Sequence, residues 1–148
     1  RTFCAAEPLH LPPPSLTTQR CRGAFEIEAL NTFHGYWGYV SIVANAIAGI
    51  AALIAWRIVK LRGRFVWALT IAAEVAILIQ VLLGVILVAS NKYEAPRFHM
   101  FYGFVIFKTV GLLFQYRASM RGRLEMLYGF GGLFVMGLGI RSVLQVIN

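Results

Sequence analysis

The 148 residues are 59% apolar and only 14% charged, with a mean hydropathy of +0.70 and a net charge of +8. Soluble domains carry about 25% charged residues, so a water-facing globule is excluded, and the length allows one domain. The positive charge does not point to nucleic acid, because half of the 14 basic residues gather at two short links between apolar blocks, where membrane topology accounts for them.

Residues 1–26 read as an irregular extramembrane tail. Pro12, Pro13 and Pro14 favour extended backbone there, and no apolar stretch is long enough for a signal peptide. Cys4 and Cys21 can pair if the tail lies outside the cytoplasm, and otherwise remain two thiols. His10, among the prolines, is given no role.

The transmembrane domain, 27–148, holds four apolar blocks at 27–57, 65–90, 97–116 and 124–147. Each is long enough for a helix crossing a hydrocarbon core, which takes about 20 residues. Helices are required, because an open strand leaves its backbone unpaired in lipid. Pro96 suits the first turn of the third. The breaks "KLRGR" (60–64), "NKYEAP" (91–96) and "ASMRGR" (118–123) are short, so neighbouring spans run antiparallel. The expected fold is an all-α, four-helix antiparallel bundle.

Arg57, Lys60, Arg62 and Arg64 surround the first link, and Arg117, Arg121 and Arg123 the third. The opposite side has Lys92 and Arg97 in its loop, and Arg1, Arg20 and Arg22 in a tail balanced by Glu7, Glu26 and Glu28. The positive-inside rule then sets both basic links in the cytoplasm and both termini outside. The membrane expected is a prokaryotic plasma membrane.

The first block opens with "FHGYWGYV" (33–40), and the third with "FHMFYGFV" (98–105). With the spans antiparallel, His34 and His99 share one depth in the outer leaflet, which points to a duplicated helical hairpin. Gly38 and Gly103 each lie one turn beyond a histidine on the same face. Bare backbone there leaves room for a flat macrocycle while the imidazoles reach its iron. Residues 34, 38, 41, 45, 48 and 52 make a narrow, small face on the first helix, and rings at 36, 37, 101 and 102 are candidates to stack on the macrocycle edge. An aromatic interface belt with ordinary small-residue helix contacts is the plainer reading of the same residues.

The four-span layout and the His34/Gly38 and His99/Gly103 pairs resemble the small membrane cytochromes of the cytochrome b561 type and the half-units of heme A synthase. That resemblance implies heme b between His34 and His99 and transfer of electrons to or from a membrane oxidoreductase or a quinone. It does not imply an autonomous enzyme. The b561 type carries two histidine pairs, whereas this chain has one in its spans, so at most one heme fits.

Two charges fall inside the spans. Glu74 lies about 13 Å and Lys108 about 12 Å from the same membrane face at 1.5 Å per residue. An unpaired charge near the bilayer centre costs roughly 2.5–3.5 kcal/mol, so an ion pair between them is expected. The alternative is a proton-handling group with Gln80 and Asn45 as further hydrogen-bond partners. Arg141, level with the histidines, is a candidate partner for a heme propionate, and Arg97 is a second. Snorkelling to headgroups is the other reading of both.

No phosphate-binding glycine loop, Cys-x-x-Cys or nucleophilic triad is present. Gly129, Gly131, Gly132, Gly137 and Gly139 read as helix contacts. Two further readings therefore stand beside the heme protein: a cofactor-free accessory subunit of a membrane complex, and a small proton-coupled transporter centred on Glu74 and Lys108.

Overall fold

A computed structural model describes the backbone of residues 14–90 and 94–147, with side chains from residue 25 onward. All regular structure among these residues is helical: α1 (Pro14–Arg57), a 3-10 turn (Val59–Leu61), α2 (Arg64–Ala89), α3 (Arg97–Tyr116) and α4 (Leu124–Ile147). Each of the four α-helices has a segment long and apolar enough to cross a membrane. Their outward faces agree with that. Phe65, Leu82, Phe104 and Phe134 are each more than half exposed, which water does not tolerate over contiguous surface.

One boundary differs clearly from expectation. The tail is not irregular through residue 26, because α1 already begins at Pro14. Proline is tolerated at a helix start, where its missing N–H has no intrahelical partner. The residues that follow contain no further proline, and at 1.5 Å per residue the 44 residues of α1 rise about 66 Å. That exceeds a hydrocarbon core of about 30 Å, so part of α1 extends past it. The pairing of Cys4 with Cys21 lies outside the described residues.

The other boundaries fall within a residue of expectation. Pro96 is the residue before α3, and its carbonyl accepts from Met100 N–H at 3.2 Å to close the first turn. Ser90 ends α2, its hydroxyl donating to the Leu87 carbonyl at 2.6 Å. At the other end of α1, Arg62 donates to the carbonyls of Ala55 (3.3 Å) and Trp56 (3.4 Å), which have no partner inside the helix. Its guanidinium also lies 3.5 Å from Glu125 at the start of α4.

The helices pack around α1 and α4. α1 lies against α2 and α4, α3 lies against α4, and α2 and α3 touch only thinly. α1 and α3 are therefore diagonal. Two devices hold α1. Toward α2 it presents hydrogen bonds: Trp37 Nε1 donates to the Ala76 carbonyl (3.0 Å), Ser41 Oγ lies 3.2 Å from the same carbonyl, and Asn45 Nδ2 donates to Ala73 (3.1 Å). Toward α4 it presents bare backbone. A Cβ on Gly49 would stand 3.0 Å from the Gly129 carbonyl, and one on Gly132 3.2 Å from the Asn45 carbonyl.

The small face of α1 read from the sequence is buried: Ser41, Asn45, Ala48 and Ala52 are all under 5% exposed. The glycines of α4 divide by neighbour. Gly129, Gly132 and Gly139 face α1, and Gly131 faces Leu113 of α3. Gly137 was expected to be a contact too, but a Cβ there meets nothing within 4 Å. An apolar cluster of Ile77, Ile106, Val110 and Val135 closes the middle of the bundle beneath the histidines.

Candidate functional site

His34 and His99 meet across the diagonal of the bundle, with ring centroids 6.1 Å apart and ring planes at 74°. Each is tied to the helix that follows its own. Gln80 of α2 donates its amide N–H to the His34 carbonyl (3.0 Å), and the same nitrogen lies 3.3 Å from His34 Nε2. Ser142 of α4 holds His99, whose Nδ1 is 3.1 Å from the Ser142 carbonyl and 2.9 Å from its hydroxyl. The His34 ring also sits against Gly84, where a Cβ would stand 3.1 Å from its Cε1.

Between the histidines lies a cavity of about 80 Å³, bordered by all four helices and by the polar groups of His34, Gln80, His99 and Ser142. Two buried polar atoms at this place have no partner among the described residues, His34 Nδ1 and Gln80 Oε1. An unpaired buried polar atom costs about 1–3 kcal/mol. The bundle thus keeps an unfinished polar centre, whereas the buried polar side chains Ser41, Asn45 and Thr70 are hydrogen-bonded.

The remaining predicted residues distribute differently. Gly38 lines the cavity, but a Cβ there would meet the Gln80 amide at 2.9 Å, so the face is filled by a side chain. Gly103 does not border the cavity, and a Cβ on it would meet nothing within 4 Å. Nor do the aromatic rings line it. Tyr36 and Phe101 are 73% and 57% exposed, and Trp37 is bonded to α2. Arg97 and Arg141 are both exposed and outside the cavity lining. Arg141 lies about 100° around α4 from Ser142, off the face that Ser142 presents to the cavity.

Glu74 and Lys108 form no ion pair among the described residues. Lys108 is exposed, with its ammonium 5.4 Å from the Phe104 ring centre. Matched depth on two helices did not bring the pair together because α2 and α3 scarcely touch. Gln80 and Asn45, the further hydrogen-bond partners of the proton-handling alternative, serve His34 and the α1–α2 contact.

No protein-family model matches this chain, and no curated protein or solved structure does either. The reading of the site therefore rests on its residues. Among the described residues no group of three or more His, Cys, Asp or Glu converges. A bare zinc ion takes four ligands, at least three of them from the protein at a catalytic site. Two imidazoles alone fall short of that, so a metal here would need donors from elsewhere.

Proposed function

We propose that the chain is an integral membrane heme b protein of electron-transfer type, with His34 and His99 as its axial ligands. The observation that carries the reading is the 6.1 Å between the imidazole centres across the bundle. A metal bonded to one nitrogen of each ring, at about 2 Å apiece, sets the two centres roughly 6 Å apart. The donor chemistry fits as well, since His99 is hydrogen-bonded through Nδ1 to a carbonyl, the arrangement that orients metal-bound imidazoles. Heme supplies a one-electron couple, and the protein's part is to hold it in a dry, apolar surround.

The volume does not fit as it stands. A cavity of about 80 Å³ is well short of the ~300–1,000 Å³ of sites for larger ligands, so binding requires helices to part. The thin contact of α2 with α3 is the place with least to lose. That same small volume favours a second reading, a cofactor-free accessory subunit in which the histidines serve helix packing.

In the heme reading the basic links lie in the cytoplasm, both termini outside, and successive spans antiparallel, so the histidines sit toward the outer face. Its partner is a membrane oxidoreductase or a quinone. The test is heme content. Protein purified from cells supplied with heme should give about one equivalent per chain by the pyridine hemochrome assay. Well-folded protein that takes up none would leave the accessory-subunit reading.

A further inference from the structure

We infer that the outward face of α3 is a docking seam for a transmembrane helix of a different membrane protein, one that carries a carboxylate at the depth of Lys108. The inference depends on neither reading of the histidine pair. Phe101, Phe104, Lys108, Gly111 and Gln115 recur at alternating steps of three and four, and all five are exposed. That spacing is the one by which two helices seat along a common seam.

The charge sets this face apart. The 20 residues of α3 rise about 30 Å at 1.5 Å each, which matches the thickness of a hydrocarbon core. Lys108 lies about 12 Å inside the nearer end, at Tyr116. That is more than its four-carbon stem spans. Its ammonium lies 5.4 Å from the centre of the Phe104 ring, one turn toward the farther end, so the side chain turns into the span and not out of it. A ring face answers a cation only in part, and among the described residues no carboxylate lies within ion-pair distance of it. A charge at such depth marks a site with a partner. By contrast, the outward residues of α1 and α2 are aliphatic, among them Val43, Ile47, Ile54, Ile71, Val75 and Leu82.

The rest of the seam suits a helix. A Cβ on Gly111 would meet nothing within 4 Å, so a neighbouring backbone can approach closely there, and the Gln115 amide one turn on can bond across the contact. A second copy does not fit. Inserted the same way and packed on the same seam, it would set Lys108 against Lys108 across a two-fold axis. Glu74 stands on α2, off this seam, and is only partly exposed. The complementary acid therefore comes from another chain.

The experiment titrates the whole protein in phosphatidylcholine vesicles with two dansyl-labelled leucine–alanine transmembrane peptides. One has Glu at its centre and the other Leu, and energy transfer from the protein's tryptophans reads binding. The Glu peptide should bind at least about tenfold more tightly. Lys108→Met should remove that preference, and Lys108→Arg should keep it. Gly111→Leu should weaken the Glu peptide, whereas Gly137→Leu should match wild type. Helix content by circular dichroism separates these effects from loss of fold. Equal affinity for the two peptides, or a preference that survives Lys108→Met, would overturn the inference. So would dimers in detergent, seen by sedimentation, that need both Lys108 and Glu74, because the occupant would then be a second copy.

Discussion

Asn45 is 2% exposed, and its side-chain nitrogen donates to carbonyls on two helices. Hydrogen bonds between helices in lipid contribute ~0.6 kcal/mol on average and up to about 1.7. Asn45→Leu should therefore lower stability by ~1–2 kcal/mol in a denaturant titration in detergent, while Val43→Leu on the exposed face of the same helix should change little. Glu74 and Lys108 give a contrary case. Glu74→Gln and Lys108→Met should act additively, with coupling under ~0.5 kcal/mol in a double-mutant cycle, because the two do not pair. A clear recovery in the double variant would show that they do. The histidines were legible in the sequence because their aromatic frame repeats. Gln80, Gly84 and Ser142 were not legible as their partners, since the corresponding helices share no such frame and only packing decides which residue faces a ring.

At the scale of the helix, apolar length and short basic breaks set three spans to within a residue. The start of α1 escaped the same reasoning, because three prolines read as an extended tail although the last of them can open a helix. Glycine content likewise marked α4 as a packing helix without saying which glycine meets which neighbour. The geometry separates them. Leu at Gly49 or Gly132 would drive into backbone of the facing helix, and backbone cannot turn aside as a side chain does. Such overpacking costs about 1–3 kcal/mol, so Gly49→Leu and Gly132→Leu should each lose folded yield and thermal stability in detergent. Gly137→Leu, which meets open space, should stay near wild type. Equal losses at all three positions would mean that α4 is turned differently against α1.

For the whole molecule, four apolar helices define a membrane bundle, and the asymmetry of its basic links sets the proposed orientation. With Cys4 and Cys21 replaced, a cysteine at 62 or 64 should resist a membrane-impermeant thiol reagent in intact cells, and one at 94 or 95 should react. The reverse labelling would move the histidine pair to the cytoplasmic side. The diagonal meeting of α1 and α3 was not written in either helix alone, because it depends on α4 and α2 separating them. On that meeting the functional account depends. The measurement that tests it most directly is the low-temperature electron paramagnetic resonance spectrum of the oxidised, heme-supplied protein. Two imidazoles on one iron predict a low-spin, six-coordinate signal that disappears in both His34→Ala and His99→Ala. A high-spin signal in the wild type, or a low-spin one that survives loss of either histidine, would contradict it.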